Sequence, residues 1–315
     1  GYSGSHGYHE TLSADLNQPL PTICPASPCP ASYSPGTIYY PAGAPLANPA
    51  LASTWTWVSG GNSNYNAMEV DFRHRLANGL QFRAAYTWSK SLDTGDTLNA
   101  SAAANAPGLA EDSRNLRLDY GPSTFDIRQI LAVSGMYELP FGPGKTLFRN
   151  AAGFAKLLVE GWSLNGIVSY NTGFPFTPEL SFNPSNNGNT TNPVRPSLNP
   201  AFSRPIITGN PNQYFSPDAF VVPAPGTYGD LGRNALYGPG LEEVDLALIK
   251  NTRLNEHLTL QLRGEAFNIA NHANFNTPNV TVFTSAGSQA SGSAGVITST
   301  ATTSRQIQIA AKFIW

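Results

Sequence analysis

Apolar and polar residues alternate with a period of two in successive stretches of this chain, the mark of strands with two different faces. Residues 64–75 set Met68, Val70 and Phe72 on one face and Glu69, Asp71 and Arg73 on the other. An Asn78-Gly79 pair follows, the dipeptide preferred by tight hairpins. Residues 80–92 then place Leu80, Phe82, Ala84, Tyr86 and Trp88 opposite Gln81, Arg83, Thr87 and Ser89. Further strands are predicted over 127–139 (Leu131, Val133, Tyr137 and Leu139 in phase), 160–172 (Trp162, Leu164, Val168, Tyr170) and 242–251 (Val244, Leu246, Leu248). Another spans 258–269, where Leu258, Leu260 and Leu262 oppose Thr259, Gln261, Arg263 and Glu265. The last eleven residues align Ile307, Ile309, Ala311, Phe313 and Trp315, and a strand end over 1–12 brings the total to about eight.

The connections carry a second pattern. In order they are long (about 13–63), short (76–79), long (93–126), medium (140–159, with a short helix expected around 150–158), long (173–241), short (252–257) and long (270–304). With the medium one counted as short, long and short alternate throughout. This is the parity of an outer-membrane barrel, with tight periplasmic turns and extended external loops, and it leaves Trp315 at the periplasmic rim. Trp162 and Tyr170 share a face eight residues apart. That is roughly 26 Å along a strand, close to the spacing of two aromatic girdles around an apolar band. Tyr86, Trp88, Tyr137, Trp162 and Tyr170 are therefore the candidate interface aromatics, and Glu69, Asp71, Arg73, Arg83, Asp245, Arg263 and Glu265 the candidate lumen charges, able to pair across neighbouring strands.

Composition narrows the alternatives. Only 12% of residues are charged, the net charge is −2 and no Lys/Arg stripe exists, so nucleic acid is not an expected partner. No run approaches eighteen apolar residues, which excludes a transmembrane helix but not a closed barrel. Gly and Pro number 29 and 26, in keeping with extensive loops. The run NPSNNGNTTNPVRPSLNP within 173–241 is too polar to form a core of its own, though neighbours can order it. Cys24 and Cys29 share one Pro-rich loop, where they close a small disulfide in an oxidising compartment or stay as two thiols. The chain opens GYSGSHGYHE, without Met, basic segment or apolar run. The expectation is a leader already removed or a fragment of a longer protein.

Long segments of the chain resemble the C-terminal barrel region of Oar-like TonB-dependent receptors. They are YNAMEVDFRHRLANGLQFRAAYTWSKSLD, FDIRQILAVSGMYELPFGPGK, GWSLNGIVSYNTGFPFTP, YGDLGRNALYGPGLEEVDLALIKNTRL, LQLRGEAFNIANHANFNTPN and the terminal RQIQIAAKFIW. The resemblance covers nearly the whole chain, the cysteine loop being least typical. It implies an all-β fold, an antiparallel transmembrane β-barrel of about 22 strands of which residues 1–315 supply about the last eight. It also implies transport powered by an inner-membrane TonB energy-coupling complex acting through an N-terminal region absent from this sequence, in the outer membrane of a Gram-negative bacterium. An unidentified substrate would first meet the external loops, above all 173–241.

Other chemistry finds little support. GPGKT at 142–146 has Leu139 where a phosphate loop needs its first Gly. His6, His9 and Glu10 fall on alternating faces if extended and lack a further ligand. GTYGDLGRN at 226–234 lacks the strand–turn–helix context of a dinucleotide site, and no GxSxG elbow occurs. No catalytic residue, cofactor or metal is expected. The strongest motif is the C-terminal one: Ile307, Ile309, Ala311, Phe313 and Trp315 form a greasy edge strand ending in an aromatic, resembling the signal read by the barrel assembly machinery. Two rival readings remain at this stage: a complete eight-stranded outer-membrane barrel with a structural or adhesive role, and a soluble β-rich carbohydrate-binding module.

Overall fold

The computed structural model describes residues 1–25, 33–95, 109–188 and 194–315. Eight long strands form one antiparallel sheet in chain order: β1 (Tyr2–Asp15), β2 (Trp55–Ala77), β3 (Leu80–Asp93), β4 (Gln129–Glu138), β5 (Trp162–Asn171), β6 (Leu241–Arg253), β7 (Thr259–Phe267) and β8 (Gln306–Ile314). Each pairs with its sequence neighbours, while among the described residues β1 and β8 pair on one side only. The expected parity of connections is present. Asn78 (φ 51°) and Gly79 (φ 82°) supply the positive dihedrals of the β2–β3 hairpin. The expected short helix is α1 (Gly153–Val159).

Two strands are longer than their alternation predicts, for one shared reason. In the β1–β2 ladder His9 is an extra residue on one strand and Gly60 an extra residue on the other. Each bulge moves the side chains beyond it to the opposite face. Below the bulges Tyr2 and Tyr8 share a face with Met68, Val70 and Phe72. Beyond them Leu12 and Ala14 turn inward and are buried, while Trp55 and Trp57 stay exposed. Residues 55–63 were expected to be loop because a pattern that switches phase over a Gly-rich stretch carries no period.

Register joins the separate apolar phases into one surface, because directly paired residues share a face. One row runs Val70, Tyr86, Leu131, Tyr170; the next runs Phe72, Ala84, Val133, Val168, Val244. A third runs Leu80, Tyr137, Leu164, Leu248, Gly264, Ile309 across six strands.

The main hydrophobic core lies outside the sheet. Phe176, Leu180, Val194, Phe215, Ala219, Phe220 and Leu231 of the loop between β5 and β6 pack with Val282, Phe283 and Ala294 of the loop between β7 and β8. Glu179–Leu180 and Thr281–Phe283 pair in parallel to tie the two loops together. The polar run inside 173–241 thus shares a core with its neighbour, as expected of a segment unable to build one alone; residues 189–193 within it lie outside the described residues. In the first loop Asn17 Nδ2 donates to the carbonyls of Asn48 (3.1 Å), Leu51 (3.0 Å) and Ala52 (2.8 Å).

Candidate functional surfaces

The wall has two chemically distinct faces, set by the strand period. The apolar face carries all five predicted interface aromatics. Trp88 pairs with Met68, and Tyr86 sits between Val70 and Leu131, whose other neighbour is Tyr170. Tyr137 pairs with Leu164, and Trp162 with Lys250, near the short-turn end. Trp162 and Tyr170 therefore mark opposite ends of β5. Trp55 and Trp57, 52% and 71% exposed, extend the aromatic population at the long-loop end and were hidden from the sequence by the bulge.

The opposite face holds the predicted charges, but not as one lattice. Asp71 accepts from Arg73 Nε at 2.9 Å and from Arg83 Nε at 2.8 Å. Arg73 and Arg83 are directly opposed across β2 and β3, a like-charge pair that the neighbouring carboxylate offsets. Arg263 bonds Glu265 at 2.6 Å along its own strand rather than across to a neighbour. Asp245 departs from the expected pairing and accepts from the Asn268 backbone N–H at 2.8 Å, because β7 ends beside it. Glu69 Oε1 accepts from Ser3 Oγ at 3.5 Å.

The predicted assembly motif lies on the free edge. Ile307, Ile309 and Phe313 are paired through β7 to Ala266, Gly264 and Leu260, with Ala311 opposite Leu262. Ile307, Ile309, Phe313 and Trp315 are strongly exposed, and no described strand covers the outer edge of β8. Cys24 is buried; its predicted partner Cys29 lies outside the described residues.

Three motifs weighed for chemistry resolve into structural roles. His9 is a bulge residue, His6 Nδ1 lies 3.0 Å from Asn64 Nδ2, and Glu10 accepts from Ser63 Oγ at 2.7 Å. No group of three metal-ligating side chains occurs among the described residues. Two of the three glycines of GTYGDLGRN serve close backbone approach: a Cβ on Gly226 would lie 2.3 Å from Tyr40 O, and one on Gly229 2.2 Å from Arg195 O. GPGKT forms a turn in which Lys145 Nζ reaches Glu138 at 3.0 Å.

The same GDLGRN run leads into an ionic network that the sequence did not disclose. Arg233, 2% exposed, pairs with Asp93 and donates to the carbonyls of Asp119 (2.7 Å) and Asp93 (2.7 Å). Arg195 pairs with Glu111 and, at 2.5 Å, with Asp119. Asn234 Nδ2 donates to Pro122 O at 2.8 Å, and Asn187 Nδ2 to Glu111 O at 2.9 Å. Tyr40 N–H donates to Gly226 O at 2.7 Å. Hydrogen bonds and the shared core thus join all the long connections into one cap at one end of the sheet. An Arg or Asp in an irregular loop has no periodic neighbour, so only the fold assigns its partner.

Burial raises the pKa of three carboxyls in the cap, Asp112, Glu111 and Glu179. Burial pushes Glu111 up to about 7 against the attraction of Arg195, and burial alone pushes Glu179 up to about 7. A carboxyl whose pKa is higher folded than unfolded stabilises most at low pH, below its ordinary value near 4.5, and that stabilisation is lost as pH rises toward 7. The cap is therefore expected to loosen between about pH 4.5 and 7, read as faster deuterium exchange at residues 175–182. Glu179→Gln should flatten that dependence and slow exchange at pH 7; an unchanged pH profile would show that Glu179 does not titrate there.

The family model described as "Outer membrane beta barrel domain" matches residues 1–308. The chain belongs to this family. The barrel domain accordingly sits in the outer membrane of a Gram-negative bacterium. The soluble-module reading is set aside. A search of curated proteins and of solved structures finds no match.

Proposed function

We propose that the barrel domain is the C-terminal sector of a larger, energy-coupled outer-membrane transporter, resembling Oar-like TonB-dependent receptors. The open sheet supports this reading: among the described residues β1 and β8 each keep one unpaired backbone edge. In hydrocarbon every N–H and C=O needs a partner, and an unpaired strand edge costs several kcal/mol per group. Further strands filling the space between β8 and β1 satisfy both edges, and a barrel of about 22 strands encloses a lumen wide enough for a plug. The charged lumen face, with its Asp71–Arg73–Arg83 and Arg263–Glu265 patches, then meets a plug or passing solute instead of neighbouring wall residues.

In this reading the cap receives the substrate and the wall performs no covalent chemistry. The partners are membrane lipid, the barrel assembly machinery at β8 and an inner-membrane TonB complex engaging an N-terminal region. Sequencing the gene upstream of the Gly1 codon tests the proposal. The expected result is an open frame carrying more alternating strands, then a plug domain and a leader. A cleavable leader directly before Gly1 overturns it in favour of an eight-stranded barrel with a structural or adhesive role.

A further inference from the structure

The connection between β4 and β5 is the one short-side link with a helix, and the helix is on the outside of the wall. Lys250 and Trp162 belong to the lipid-facing phase, paired in the outermost row before the turn. Both reach the C-terminal end of α1. Lys250 Nζ donates to the carbonyls of Leu157 (2.6 Å) and Glu160 (3.0 Å), and Trp162 Nε1 donates to Leu158 O at 2.9 Å. The ammonium also lies 5.2 Å from the Trp162 ring centroid. These side chains leave the lipid-facing wall and end on helix carbonyls, so α1 lies against the outer face at the periplasmic rim. A cation on the carbonyls of a helix C-terminus is favourably placed.

The helix is poorly explained by its own sequence. It has seven residues, no side-chain N-cap and no buried residue. A helix that short does not persist in water unaided. Phe154, Leu157 and Leu158 share one face by their i, i+3, i+4 spacing and are 74%, 37% and 53% exposed. Around them Lys145, Arg149 and Lys156 outnumber Glu138 and Glu160, the partners of Lys145 and Lys156, leaving a local charge of +1. An apolar face flanked by basic residues and continuous with a lipid-facing wall has the composition of an interfacial helix.

We infer that α1 is an interfacial anchor, lying in the periplasmic leaflet with Phe154, Leu157 and Leu158 among phospholipid acyl chains. Lys145, Arg149 and Lys156 stand at headgroup level, where they favour anionic phospholipids. Lys250 and Trp162 hold the helix to the wall, so the anchor fixes the depth of the β4–β5 end in the membrane. The inference rests on outer-membrane residence and not on transport, so it survives if the upstream gene shows a small barrel.

The test is depth-dependent quenching in proteoliposomes of phosphatidylethanolamine and phosphatidylglycerol, using the full natural protein. The described residues carry no free cysteine, and the unmodified protein serves as the labelling blank. Phe154→Cys and Leu158→Cys each carry a bimane probe on the apolar face, and Glu256→Cys in the neighbouring β6–β7 turn provides the aqueous reference at the same rim. Nitroxide-bearing lipid is expected to quench the helix probes about threefold or more above the reference, with iodide showing the reverse order. Iodide quenching at residues 154 and 158 equal to that at residue 256 overturns the inference, since the helix then projects into water. Protection from both quenchers also overturns it, since protein rather than lipid then covers the face. Should Phe154→Cys fail to assemble, Leu158→Cys decides by the same readout.

Discussion

Deleting residues 306–315 is expected to abolish outer-membrane assembly, reducing the heat-modifiable folded species at least about tenfold. β8 pairs with β7 from Thr259–Ile314 to Phe267–Gln306. Its loss strips the whole outer edge of β7 of backbone partners within the apolar band, and each orphaned group there costs several kcal/mol. The deletion also removes Phe313 and Trp315, the aromatic end that we propose the assembly machinery reads. The two contributions separate experimentally. The Phe313→Ser, Trp315→Ser double variant keeps every backbone pair, so reduced assembly with normal heat modifiability of the surviving fraction isolates recognition from folding. Wild-type levels of folded, membrane-inserted protein after the full deletion would sink both claims.

The second large effect is expected in the cap. Arg233→Ala removes a guanidinium that pairs with Asp93 and donates to the Asp119 and Asp93 carbonyls, all in buried surroundings. Breaking a buried pair by deleting one partner typically costs about 3–5 kcal/mol, because the other charge stays buried and uncompensated. That is a large part of the stability of any small folded unit. The expected result is rapid proteolysis of the external loops on intact cells, with the β-sheet still heat-modifiable. Arg233→Lys should restore little, since one ammonium does not reproduce the planar spread of donors that holds two carbonyls and a carboxylate. Undiminished protease resistance in Arg233→Ala would show that Phe176, Phe215, Phe220 and their neighbours hold the cap without the ionic network.

These two predictions fall on opposite sides of what a sequence discloses. The wall was legible because a strand in a membrane barrel faces two solvents, lipid and lumen, so its chemistry must alternate. Leu80 to Trp88, Trp162 to Tyr170 and Ile307 to Trp315 carry that alternation in the open, and the lengths of the intervening segments convey which end each strand turns at. The family match agrees with that reading. Where legibility failed within the wall, at residues 55–63, the cause was local: Gly60 and His9 each add one residue, and one residue reverses the face of everything beyond.

The partners of irregular segments were not legible at all. Arg233 and Asp93 are 140 positions apart, Asn234 and Pro122 are 112 apart, and Lys250 reaches a helix 93 residues earlier. Nothing periodic links such positions, and a lone Arg in a Gly-rich run reads equally well as solvent-exposed. The amino-acid sequence by itself determined where the long strands of the sheet fall, their two faces and their up-and-down order, because each follows from short-range alternation and turn chemistry. The tertiary structure alone decided that the long loops form one cap around a shared core, that Arg233 is buried within it, and that Lys250 and Trp162 reach the carbonyls at the end of α1. Those outcomes depend on which distant backbone groups must find a partner once water is excluded, and that condition exists only in the folded chain.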